Sequence, residues 1–179
     1  MNDKNFAYVS GKIPERGIIE VTRYSGVKDR IPFVSVYGDI PVGKSTSLIG
    51  ELRTRNVVGE DCKNHKETYL VVREKLIAEE ANKNEIEFTG TLVKKAELRQ
   101  TPLGRTIIEF VVAINCGIES YYPSVIAWGN TAEKMQYIPI GARMEIQGRF
   151  QSREYLKELP EGNEVRTAYE ISVKSARVV

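Results

Sequence analysis

The chain is poor in the side chains that most catalysis and metal binding require. It has one histidine, His65, and two cysteines, Cys62 and Cys116, with no C-x-x-C and no second thiol near either. Metal-ligand spacing is therefore missing, no metal or cofactor is expected, and a reducing compartment is the default for lone thiols. Aspartate occurs only at positions 3, 29, 39 and 61, and no set of Asp and Glu has the spacing of a metal-dependent nuclease. His65 lies in a polar stretch, "GEDCKNHKE", read as a solvated hairpin tip, so no Ser–His pair is at hand for acyl transfer. No glycine-rich phosphate cradle is present either. These absences exclude the common enzyme classes, and the chain is read as a non-enzyme. No apolar run approaches the ~20 residues that cross a bilayer, so no membrane partner is expected. "MNDKNFAYVS" lacks the charged-then-apolar start of a secretion signal, which makes the expectation cytoplasmic. Charge of one sign is also lacking: 26 Lys and Arg stand against 24 Asp and Glu, for a net charge of +2. A basic surface has to come from local arrangement.

What is present is a phrase written twice. "GKSTSLIGELRTRNV" from Gly43 and "GARMEIQGRFQSREY" from Gly141 align Gly43, Gly50 and Arg55 with Gly141, Gly148 and Arg153, each pair 98 positions apart. "RGIIEV" at Arg16 matches "RTIIEF" at Arg105 at an offset of 89, "PFVSVYG" at Pro32 matches "PSVIAWG" at Pro123 at 91, and "YLVVREK" at Tyr69 matches "YEISVKS" at Tyr169 at 100. Ordered matches with drifting offsets mean two copies of one unit with loop insertions. The predicted units are residues 5–79 and 84–179, joined by the polar "EEANKNE"; "REKLIAEEANK" could instead be a helical tail of the first unit. Each copy holds five segments rich in β-branched and aromatic residues with partial alternation. The second copy has an insertion, "NTAEKMQYIPI", read as a short helix capped by Thr131 with Met135 and Ile138 on one face. The predicted fold is all-β: two tandem five-stranded OB-fold barrels, the second with a short helix between its third and fourth strands. Gly50 and Gly148 fall inside the fourth strands, where a small barrel must bend sharply.

The second copy resembles the bacterial single-stranded DNA-binding protein family. The resemblance rests on the turn "ELRQTPLG", the passage "AWGNTAEKMQYIPIG" and the strand ending "GRFQSREY", in that order across residues 84–179. The first copy resembles the family more faintly, through "GELRTR". The resemblance implies sequence-independent wrapping of single-stranded DNA by four OB-folds acting together, hence a homodimer of this two-fold chain in the nucleoid. It also implies base-stacking aromatics at the positions of Tyr122, Trp128 and Tyr155. The long tail through which many family members recruit replication proteins has no counterpart after "ISVKSARVV", so tail-mediated recruitment is not expected.

Single-strand binding needs π-faces for bases and cations for phosphates. One reading of the alternation along strand three puts Val125 and Ala127 inside the barrel, with Tyr122 and Trp128 outside; the other puts Trp128 in the core. Arg149, Arg153 and Tyr155 share one side of strand four at period two. Lys94, Lys95, Arg99 and Arg105 complete the candidate cations of the second copy. In the first copy Ile31 matches Tyr122 and Val57 matches Tyr155. Tyr37 matches Trp128, with Phe33 as an extra aromatic on its side, while Arg53, Arg55, Arg23, Lys28 and Arg30 supply charge. This copy is expected to bind more weakly or to mediate assembly, so that losing Phe33 and Tyr37 costs less affinity than losing Trp128 and Tyr155. Two other readings stay open. One is a primosome-like module whose OB-folds bind mainly protein. The other is RNA as ligand, since such grooves accept either strand type.

Overall fold

In a computed structural model the chain is described over residues 2–59, 62, 64–77, 82–160 and 162–179. The first five strands are β1 (Asn5–Glu15), β2 (Ile18–Thr22), β3 (Lys28–Ser35), β4 (Ser45–Val58) and β5 (Asn64–Ile77). The rest are β6 (Asn84–Lys95), β7 (Arg99–Gln100), β8 (Thr106–Cys116), β9 (Glu119–Tyr121), β10 (Ser124–Trp128), β11 (Arg143–Leu159) and β12 (Gly162–Val178), with helix α1 (Gly129–Met135) between β10 and β11. Alternation drives the build. Ala7, Val9 and Ile13 of β1 and Ile86, Phe88 and Leu92 of β6 point inward and are almost fully buried, as the period of two requires. Pairing runs β1–β2–β3–β5–β4 and returns to β1, with β3–β5 as the parallel pair, so five strands form a closed ring. The ring β6–β8–β10–β12–β11 repeats that order, with β10–β12 parallel. The two rings are joined edge to edge by antiparallel pairing of Asn5–Val9 with Asn84–Phe88.

The first strand of each ring opens on the same device. The Asn5 amide donates from Nδ2 to the Leu52 carbonyl and accepts from the Leu52 N–H, both at 2.9 Å. Asn84 does the same with Phe150, at 2.7 and 2.8 Å. A side chain thus stands in for one more residue of the ladder where the strand begins, pairing the N–H and carbonyl of Leu52 and of Phe150. Asn84→Ala is expected to lower stability by about 1–3 kcal/mol, because both Phe150 groups then lose their partner. A fall in the urea midpoint at unchanged slope is the readout.

The pairing corrects three of the four sequence offsets. Gly50 and Gly148 occupy the same bulge of β4 and β11 and face Val72 and Val173. Val72 therefore answers to Val173, one position beyond the alignment of Tyr69 with Tyr169. A Cβ at Gly11 would run into the Glu20 carbonyl and one at Gly90 into the Ala113 carbonyl, so β2 answers to β8 four positions beyond the alignment of "RGIIEV" with "RTIIEF". Ile19 faces Ile31 and Val112 faces the strand position before Ser124, which sets Pro32 against Ser124 and Phe33 against Val125. A one-residue slip exchanges the faces of a strand. Phe33 accordingly lies in the core, 7% exposed, and offers no ring to a ligand. The position of Trp128 is held in the first ring by Val36, and that of Tyr122 by Arg30.

Other expectations also change. Thr131 does not cap α1: the helix starts directly after Trp128, which is extended and makes no side-chain cap. Ala132 and Met135 are its buried face, while Ile138 packs on the core just beyond it. Arg73–Ile77 continue β5 rather than forming a helix, since Thr46–Ile49 of β4 pair with Glu74–Ile77 and tertiary pairing overrides local propensity. His65 is not a solvated tip residue; it is half-buried on β5 with Nε2 3.3 Å from Nη1 of Arg166. The predicted end of the first unit at residue 79, and most of the acidic start of the joining segment, lie outside the described residues.

Candidate nucleic-acid interface

The β2–β3 turn of the first ring docks on β11 of the second. Asp29, fully buried, accepts from Nε and Nη2 of Arg23 at 2.7 and 2.5 Å and from the Ser152 N–H at 3.0 Å. The Arg30 N–H donates to Ser152 Oγ at 2.8 Å. From this joint a polar chain runs along β11 and β12. Gln151, 2% exposed, accepts on one oxygen from Nη2 of Arg23 at 3.5 Å and from Nη2 of Arg149 at 3.3 Å. Its amide nitrogen donates to Glu170 at 2.7 Å. Glu170 also accepts from Arg153 Nε at 3.0 Å, and Arg153 reaches Glu109 at 3.5 Å.

Above that chain lies a cleft of about 1030 Å³ between the rings. Arg23, Lys28 and Arg30 line it from the first ring, and Arg105, Trp128, Arg149 and Arg153 from the second, with Glu154 the acidic side chain among the lining residues. A second groove, of about 750 Å³, continues on the far side of Arg153. Lys94, Arg99, Glu109, Tyr155 and Arg166 line it, and the β4–β5 hairpin of the first ring overhangs it with His65 and Lys66. Arg153 belongs to both hollows. Its guanidinium lies 5.8 Å from the centroid of the Tyr155 ring, which is 39% exposed.

The predicted residues separate by environment. Trp128, half-buried, and Tyr155 reach the two grooves. Tyr122, 38% exposed, lines neither: its N–H donates to Thr54 Oγ1 at 3.0 Å and Lys66 sits over its ring at 4.9 Å. It therefore belongs to the contact between the rings. Tyr37 is on the turn after β3, outside both grooves. Lys95 is engaged elsewhere and lines neither groove: its Nζ donates to the Gln136 and Ile138 carbonyls at 2.5 and 2.7 Å, just past the end of α1. Arg53 is held by Glu51 at 3.3 Å and lies over Tyr121, and Arg55 is held by Glu67 at 2.6 Å and lies over Tyr69. Neither lines a groove.

The remaining cations differ in what already holds them. Arg99 pairs with Glu109 at 3.1 Å, and Arg153 with Glu170 and Glu109. Hydrogen bonding to Glu170 raises the pKa of Arg153, and hydrogen bonding to Asp29 raises that of Arg23. Lys94, Arg105 and Arg149 have no carboxylate partner among the described residues. Burial, and then the charge of Arg23, push the Arg149 pKa down. Glu109 competes with any incoming phosphate for two arginines. Glu109→Gln is therefore expected to tighten binding of a dT oligomer by up to about fivefold at low salt, the scale of one exposed ion pair. Fluorescence titration reads the change, and weaker binding would contradict it.

Sequence reading singled out Arg23, Lys28 and Arg30 only as charge belonging to the first copy. It passed over Gln151, Glu170 and Arg166. Gln151 carried one signal, its place at period two between Arg149 and Arg153.

Two OB barrels that share a cation-lined, aromatic-bearing cleft define a nucleic-acid-binding class of protein. The model of the single-strand binding protein family matches residues 83–179, just over half of the chain, and the chain belongs to that family. Its members are non-enzymatic DNA-binding proteins. Among solved structures the chain is similar to the wild-type single-stranded DNA binding protein from Thermus aquaticus. The TM-score is 0.73 and identity 14%, over 100% of this chain and 94% of that one. A deletion mutant of the same protein gives 0.71 and 17%, over 99% and 95%. A search of curated proteins finds no match.

Proposed function

We propose that the chain binds single-stranded DNA without reading its sequence, and protects it in replication, recombination or repair. The observation that carries this is the inter-ring cleft, where Trp128 stands among Arg105, Arg149 and Arg153. Such a site offers a π-face that every base can use and cations for the backbone. The strand continues past Arg153 to Tyr155 and Lys94 in the second groove. The chain works as two units, 5–79 and 84–179, in the nucleoid of the cytoplasm. Two chains assemble as a homodimer that brings four barrels together.

Trp128 is the only tryptophan, so its fluorescence is a direct probe. Oligo-dT is expected to quench it, with affinity falling as salt rises. Titration with dT of increasing length, beside a native mass measurement, tests binding and assembly together. Neither quench nor gel shift with any length would overturn the reading.

A further inference from the structure

We propose that Arg23 of the first barrel and Arg149 of the second grip one backbone phosphate of the bound strand, so that the DNA site is completed across the two barrels. This rests on the groove reading above and assigns the first barrel a direct part in it.

The geometry is that of a clamp lacking its anion. Both guanidinium groups converge on a single neutral oxygen, Oε1 of Gln151, at 3.5 and 3.3 Å. Two like charges are thus brought together by an amide that can neutralise neither. Arg23 keeps Asp29, whose charge also acts on Arg149, but Arg149 has no carboxylate within ion-pair distance among the described residues. Two guanidinium charges held side by side on a neutral oxygen repel one another unless something anionic neutralises them. Three properties define what would: it is anionic, it has several acceptor oxygens, and it reaches a cleft open to solvent. A phosphodiester has all three, and guanidinium forks match its geometry. The arms of the clamp are rigidly placed, since Arg23 is anchored through buried Asp29 to the Ser152 N–H and Arg149 rises from the paired ladder of β11. Trp128 and Arg105 line the same cleft, so the clamped phosphate and the base that meets the indole share one groove.

The test uses the full chain and two variants. Arg149→Gln removes the unpaired charge, and Arg23→Lys keeps a cation on Asp29 while removing the fork. Each is expected to weaken dT binding about tenfold. Arg149→Gln should also flatten the salt dependence by about 0.7 in the slope of log K against log salt, the value for one phosphate contact on a single strand. Because both groups grip one phosphate, the double variant should lose clearly less than the product of the two single losses. Should Arg149→Gln fail to fold, Arg23→Lys alone decides, since its Asp29 pair is retained. Unchanged affinity and slope in variants that fold would overturn the clamp. A Trp128 quench that persists in those same variants would leave the groove reading standing, whereas wild-type protein that fails to bind dT would remove both.

Discussion

Trp128→Ala is expected to bind oligo-dT about 5- to 150-fold more weakly than the wild-type chain, the loss of one stacked base. Trp128 closes β10, with its backbone paired to Ile107, and α1 begins at the next residue. The strand's core duty is met by Val125, Ile126 and Ala127, all almost fully buried. The indole is free to serve the cleft without being needed to seal the barrel, so thermal stability should change little. Trp128→Phe should recover most of the affinity, because a flat ring remains. Fluorescence anisotropy of a labelled oligomer is the measurement, since the variant has lost the intrinsic probe. Tyr37→Ala, outside both grooves, is the control expected to bind normally. Equal affinity of the Trp128→Ala and wild-type chains would show that bases do not stack at this position.

Gly148→Ala is expected to cost more in stability than any groove substitution costs in affinity. A Cβ at Gly148 would meet the Ser172 carbonyl oxygen at 2.4 Å, and at the repeat-related Gly50 the Val71 carbonyl oxygen at 2.0 Å. Both are backbone atoms fixed in the neighbouring strand, so no side chain can swing aside. Each glycine sits at a bulge where the fourth strand bends to close the ring. Overpacking of a core costs roughly 1–3 kcal/mol where side chains can adjust, and here they cannot. Loss of more than about 4 kcal/mol, or failure to accumulate as folded protein, is the expected outcome. Circular dichroism during urea unfolding decides it, and a midpoint within error of wild type would show that the two strands can move apart.

Part of the groove lining was legible in residue type and spacing: Trp128, Arg149, Arg153 and Tyr155 stand out in the sequence, and they line the two grooves. The phrase anchored by Gly50 and Gly148 marked the true register because a backbone contact permits only glycine there. The other repeat matches rested on interchangeable β-branched and aromatic residues, which fit a strand equally well one or four positions away. That tolerance misplaced Phe33, which reads as a surface ring from composition and is core once Ile19 faces Ile31. Cations were similarly ambiguous. Arg53, Arg55 and Arg149 look alike along a strand, yet Glu51 and Glu67 occupy the first two, whereas Arg149 among the described residues bonds to the neutral Gln151.

By itself the sequence determined that the chain is all-β, that it is written twice, that glycine falls inside its fourth strands, and that Trp128 ends a strand. These follow from local properties: side-chain period, backbone freedom and the order of segments. Only the tertiary structure decided that the two barrels share one cleft and which arginines meet in it. The joint depends on Asp29 reaching Ser152 and on β1 pairing with β6, contacts between residues distant in the chain. No window of sequence holds both partners of such a contact, so no local pattern records it.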